Sequence, residues 1–129
     1  MPARAEPLLF AYGTLMRGYG LHRVLARGAT FVGVGTARGR LLDLGRYPGV
    51  VAGRGRVSGE VYRLHDPQVL PAVDRAEGVQ FVRGRTLVTL ADGGRAQAWM
   101  YRYRGPCARA VPIPDGDYRR ARPARSMGR

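Results

Sequence analysis

A glycine followed by a small hydroxyl residue closes the first apolar run of the chain, Leu8-Leu9-Phe10-Ala11-Tyr12-Gly13-Thr14-Leu15. Gly13 lets backbone N–H groups approach a ligand with no Cβ in the way, and Thr14 adds a hydroxyl beside them. That combination can hold a carboxylate or a developing oxyanion. The same pattern also serves as an ordinary turn from strand to helix. Chemistry beside such a loop calls for a side chain that can take a proton and return it, and two carboxylates stand out. Glu77 ends the segment Asp74-Arg75-Ala76-Glu77-Gly78, at the exit of an expected helix, where a negative charge opposes the helix macrodipole. Glu60 lies within the strand-like stretch VSGEVYRL, where pairing with an arginine is the plainer role.

The other reactive side chains carry less. His22 and His65 are far apart and have no cysteine or carboxylate at metal-ligand spacing, so no metal is expected. Cys107 is a single thiol among arginines, unable to form an internal disulfide and without a histidine at hand to make it a nucleophile. Trp99, Tyr101 and Tyr103 alternate along one face of a strand, which is the pattern of packing before it is that of a base-stacking platform. The stretch GVGTARG lacks the glycine spacing of a dinucleotide loop and runs on into strand-like sequence.

The elements that must position these groups alternate between strands and a few helices. A short helix is expected where Leu21, Val24 and Leu25 share a face before Gly28. Thr30 to Gly35 and Arg38 to Leu44 read as two strands that bend or carry bulges, Asp43 to Gly49 as a turn, and Val57 to Leu64 as a strand. A second helix has Asp66 as N-cap, Pro67 at its first position, Val69, Leu70 and Val73 on its apolar face and Gly78 as its stop. Phe81 to Leu90 and Arg95 to Tyr103 form a hairpin about Asp92-Gly93-Gly94. An ordered island from Val111 to Tyr118 precedes a basic tail, residues 119–129, expected to be mobile. This order argues for an α+β domain over residues 1–118, with a mixed or antiparallel sheet curled around one core.

Composition narrows the function. At 129 residues and 45% hydrophobic the chain makes one domain with a real core. No apolar run approaches the roughly 18 residues of a membrane span, and the start of the chain lacks the apolar centre of a signal peptide, so the cytoplasm is the expected compartment. The net charge of +13 invites a nucleic-acid reading. Every basic residue is Arg, however, and the arginines are scattered from Arg4 to Arg129 with no helix-turn-helix, zinc-ligand or RNP-type pattern. No specific nucleic-acid partner is expected, and affinity for polyanions should be non-specific and salt-sensitive.

Six stretches, FAYGTLMRG, GRLLDLGRYPGVV, VSGEVYRL, VDRAEGVQFVRG, AWMYRY and IPDGDYRR, together resemble the gamma-glutamylcyclotransferase-like family, which includes the gamma-glutamylamine cyclotransferases. The resemblance runs from Leu8 to about Tyr118 and implies a small barrel-like mixed sheet flanked by a few short helices. It implies a cofactor-free reaction in which a γ-glutamyl amine or γ-glutamyl amino acid cyclises to 5-oxoproline. Glu77 matches the family's catalytic acid/base, the Gly13–Thr14 region its oxyanion or γ-glutamyl subsite, and Tyr12 and Leu15 its pocket lining. Phe81 stands where the family often has a tyrosine, so the missing hydroxyl is sought in Tyr47 or Tyr118. A protein of the same fold that binds a small acidic ligand without turnover, and a basic polyanion binder, are the alternatives. Monomer and homodimer are both compatible with the sequence.

Overall fold

The computed structural model describes residues 6–124. Two long antiparallel strands dominate it, β2 (Ala29–Asp43) and β3 (Pro48–Leu64). β3 also pairs with β1 (Leu8–Ala11), and β1 meets β5 (Arg95–Tyr103) in parallel at Leu9 and Trp99. β5 pairs along its whole length with β4 (Phe81–Leu90), which returns to β2 through Gly35–Ala37 against Val88–Leu90. These five strands form a closed, mixed, barrel-like ring, and the short β6 (Val111–Pro112) adds to β2 at Leu42 and Asp43. The register of β2 on β3 shifts between Phe31 and Gly33 and again between Arg38 and Arg40, and such irregularities add the local twist that lets a sheet close on itself.

The core fills the ring. Leu9, Phe10, Val57, Val61, Val88 and Met100 are almost wholly buried in it. α1 (Val69–Glu77) docks through Val69 and Val73, each worth about 1.5–3 kcal/mol of burial. Pro71 is tolerated in α1 because it falls in the first turn, where its missing N–H has no helical acceptor to lose. The helix ends at Gly78, whose φ of 86° is one that a side chain resists, so the chain turns sharply and enters β4 with Phe81 N–H donating to Gly78 O at 3.2 Å. This sharp exit fixes where Glu77 points.

Several local expectations shift. Leu21 to Gly28 folds as turns around a single 3-10 turn, His22–Val24, because the seven residues between Gly20 and Gly28 with no side-chain cap are too few to nucleate an α-helix. α1 begins at Val69, two residues after Pro67. Asp66 still caps the approach, its Oδ1 accepting from Gln68 N–H at 2.9 Å. The two expected strands around Gly35 are one bulged strand, and the expected strand from Val57 is the second half of β3, whose first half was hidden by turn-like Gly and Arg residues. The hairpin strands β4 and β5 have the expected bounds. The tail boundary at residue 118 falls at the start of α2 (Tyr118–Ala121), and Arg119 and Arg122 are tied to Glu60 and Asp43. The rest of the expected tail, residues 125–129, lies outside the described residues.

Candidate active site

Where β1 ends, the chain leaves the sheet and its backbone loses its strand partners. Gly13 O accepts from Met16 N–H and Thr14 O from Leu21 N–H, each at 3.0 Å, while His22 Nδ1 donates to Leu15 O at 2.9 Å. The carbonyls of this loop are thus engaged. The N–H groups of Gly13, Thr14 and Leu15 donate to no described residue. Backbone donors left free in a partly buried loop are uncommon, and three in succession make a ready cradle for negative charge.

The loop faces α1 across a narrow cleft lined by Phe10, Tyr12, Gly13, Thr14, Leu15, Pro48, Glu77 and Tyr101. The cleft holds only about 10 Å³ of free volume, so its walls must part for anything larger than water. Tyr12 forms its back wall: the hydroxyl donates to Tyr101 O at 2.7 Å and accepts from Val50 N–H at 3.3 Å. The Tyr12 hydroxyl is therefore consumed in joining β3 to β5, and the side chain serves the site as a wall.

The two acids of α1 meet opposite environments. Asp74 accepts from Arg83 Nε at 2.9 Å and Nη2 at 3.1 Å and from the Tyr101 hydroxyl, and the Arg83 guanidinium foremost holds its carboxyl below the usual range. Glu77, three residues on, has no hydrogen-bond partner among the described residues, and burial alone pushes its pKa up to about 7. Two carboxyls driven apart in this way differ in what they can do: Asp74 is held ionised in its pair, and Glu77 can take up and give back a proton near neutral pH. The Glu77 charge is felt at Tyr12, whose hydroxyl is held well above the phenolic range by burial first and by Glu77 second.

This asymmetry has a measurable consequence for stability. Because the folded state holds the Glu77 proton more tightly than the unfolded chain does, its contribution is fully present below pH about 4.5 and is lost as pH rises through about 7. Glu77→Gln removes the loss. Its Tm should match wild type near pH 4.5 and exceed it at about pH 8 by an amount that corresponds to at most about 3 kcal/mol. Thermal melts of both proteins across this range check it, and a variant less stable at high pH would show that the carboxylate is not desolvated.

Glu60, the other carboxylate, is 4% exposed and fully engaged. It accepts from Arg17 N–H at 2.9 Å, from the Tyr62 hydroxyl at 2.7 Å, from Arg17 Nε at 3.4 Å and from Arg119 Nη2 at 3.2 Å. It pins the far end of the loop that carries Gly13–Leu15 and joins it to α2. Glu60→Gln should lower stability by about 1–3 kcal/mol, through weakened bonds to a buried hydroxyl and a backbone N–H, and should leave kcat of the folded protein within a few-fold. Urea titration together with turnover at low temperature separates the two effects.

The structure thus brings Tyr12, Gly13, Thr14 and Leu15 together with Glu77. It does not bring Tyr47, Phe81 or Tyr118 to the same cleft. Tyr47, Phe81 and Tyr103 form an aromatic cluster of their own, with ring centroids 5.4–5.7 Å apart from Phe81, because β4 carries Phe81 past the turn before β3. Tyr118 anchors α2 against Tyr19 at 5.5 Å. Neither tyrosine stands in for a hydroxyl at the cleft; the Thr14 hydroxyl lies there without a partner among the described residues. Phe10, Pro48 and Tyr101 are lining residues that the sequence did not single out, since only the closure of the ring sets them beside the loop. No cluster of three metal-ligating side chains occurs among the described residues, and none of their helices is long and apolar enough to cross a membrane.

Comparison with known proteins identifies the family. The chain is 32% identical over 112 residues to the gamma-glutamylcyclotransferase family protein YtfP of Escherichia coli, covering 85% of this chain and 94% of that one. It is 37% identical over 120 residues to human gamma-glutamylaminecyclotransferase, covering 83% and 71% respectively. Among solved structures, an AIG2-like protein of Mus musculus superposes with a TM-score of 0.69 at 26% identity over 80% of this chain and 81% of that one. The solution structure of Escherichia coli YtfP superposes with a TM-score of 0.64 at 33% identity over 86% and 95%. The pattern of the family described as gamma-glutamyl cyclotransferase, AIG2-like, matches residues 9–120, nearly the whole folded part, and the chain belongs to that family.

Proposed function

We infer that the protein is a cofactor-independent cyclotransferase that converts a γ-glutamyl amine or γ-glutamyl amino acid to 5-oxoproline and the free amine, with Glu77 as general acid/base. The observation that carries this reading is the meeting in one cleft of a loop whose three successive backbone N–H groups have no partner among the described residues and a desolvated carboxyl that has none among them either. The substrate's α-ammonium gives a proton to the Glu77 carboxylate, and the freed amine attacks the γ-carbonyl carbon. The oxyanion that forms lies against the N–H groups of Gly13, Thr14 and Leu15. Glu77 then returns its proton to the leaving nitrogen as the old C–N bond breaks, takes the second proton from the ring nitrogen and passes it to the released amine, which departs as an ammonium, so the carboxylate is regenerated and no external acid is consumed.

A pKa near 7 suits both halves of this cycle, because the group must be a base before attack and an acid after it. The test is 5-oxoproline release from a panel of γ-glutamyl amines and γ-glutamyl amino acids. A folded protein that binds 5-oxoproline and turns over nothing on that panel would favour ligand binding without catalysis. The cytoplasm remains the proposed location.

A further inference from the structure

A groove of about 920 Å³ lies outside the cleft, where the ring of strands is incompletely zipped. β2 pairs with β4 only through Val88–Leu90, so β4 from Phe81 to Leu87 has no partner on that side among the described residues. Since Ala91 N–H points to β2, strand alternation aims the N–H and C=O groups of Arg85 and Leu87 into the same opening. Six of the fourteen lining residues are arginines: Arg38, Arg54, Arg56, Arg85, Arg95 and Arg102. The whole chain has 22 basic residues in 129, so the enrichment exceeds the general arginine bias. No Asp or Glu lines the groove, and none of the six makes an ion pair with a described residue.

This groove adjoins the cleft. Arg102 lines the groove, and its charge reaches the Tyr12 hydroxyl in the cleft wall, where Glu77 also acts. β4 begins four residues after Glu77 and carries Arg85 to the groove. A second copy of this chain is a poor occupant because it carries the same charge of +13. A nucleic acid would satisfy the guanidinium groups and leave the strand edge unused. An extended amide chain bearing carboxylates satisfies both.

Resting on the cyclotransferase reading, we propose that the leaving amine of the substrate is an oligocarboxylate chain, which lies in the Arg38–Arg54–Arg95 groove while its terminal γ-glutamyl group occupies the cleft beside Glu77. The two sources of such a chain are an acidic α-peptide and a γ-linked oligoglutamate. The released product is then that chain shortened by one residue.

The experiment compares kcat/KM for 5-oxoproline release from γ-glutamyl-alaninamide, from γ-glutamyl-triglutamate in α linkage and from the all-γ-linked tetraglutamate. At low salt the anionic substrates should be favoured on the order of tenfold or more. The preference should shrink towards one at about 0.5 M salt and in the Arg38→Gln/Arg54→Gln/Arg95→Gln protein, whose three altered side chains are exposed. The linkage that shows the larger preference identifies the source. Equal kcat/KM for neutral and anionic substrates would overturn the proposal and leave the cyclotransferase reading intact. Release from none of the three would defeat that reading instead, and the groove would then be judged by anisotropy of the labelled triglutamate conjugate. Binding weakened in the triple variant would support an oligocarboxylate site, and binding unchanged would overturn it. A single-stranded oligonucleotide that displaces the labelled conjugate at physiological salt, when excess triglutamate does not, would also overturn it.

Discussion

Glu77→Gln should lose about 10²–10⁴-fold in kcat with little change in KM. Glutamine keeps the size of the side chain and removes only its ability to carry the proton, so the cleft keeps its shape while the amine that must attack stays protonated. Burial is the cause of the raised pKa, and the neutral glutamine suits the same site without the desolvation penalty, so the variant should be inactive and no less stable. Loss of activity with loss of fold would be a different result. An active Glu77→Gln beside a folded, inactive Glu60→Gln would transfer the proton chemistry to the other carboxylate. The wild-type pH profile gives an independent check: the ionised form is the base, so kcat/KM should fall as pH drops through about 7 as Glu77 takes up its proton. An acidic limb near 4.5 would show that Glu77 is not the group being titrated.

What the sequence disclosed follows from the range over which each signal acts. The β4–β5 hairpin was legible because Asp92-Gly93-Gly94 is local turn chemistry between two strand-like runs, and α1 because Asp66, Val73 and Gly78 are local helix signals. The stretch before Gly28 carried a helical spacing, but spacing alone does not offset the cost of nucleation in so short a segment. Gly13 and Thr14 read equally as a donor loop or an ordinary turn, because a glycine and a small hydroxyl residue after an apolar run serve both, and only the fold sets that loop beside Glu77. Tyr47, Phe81 and Tyr118 were not placed correctly, because which of several tyrosines reaches a cleft depends on the crossing of β3, β4 and α2, which no local pattern encodes.

The arginines show the same limit from the other side. Scattered along the sequence they have no density, and Arg38, Arg54, Arg85 and Arg102 become neighbours only through the incomplete pairing of β2 with β4. A charge count carries no position, and the fold brings six of the arginines to one groove. Equally, Asp74 and Glu77 look alike on one helix, and only the arrival of Arg83 and Tyr101 from the hairpin separates the paired acid from the free one.

Gly13→Ala is expected to be as damaging to turnover as the loss of the carboxyl, through geometry alone. A Cβ at residue 13 would overlap Pro48 Cγ and approach Pro48 Cδ to 2.9 Å, and Pro48 is buried at the start of β3 with a rigid ring that cannot swing aside. The loop must retreat, taking the N–H groups of Gly13, Thr14 and Leu15 with it. Displacing a catalytic group by about 1 Å costs about 10²-fold, and losing an oxyanion donor costs about 10²–10³-fold. The overpacking itself should cost about 1–3 kcal/mol of stability. Pro48→Ala in the same chain removes the two atoms that obstruct, so the double variant should recover a large part of the kcat lost by Gly13→Ala, with a coupling energy of about 1–3 kcal/mol in a double-mutant cycle. Additive losses in that cycle would mean that Gly13 is needed for backbone freedom and not for the close approach to Pro48. A Gly13→Ala protein of normal kcat would remove the loop from the oxyanion role altogether.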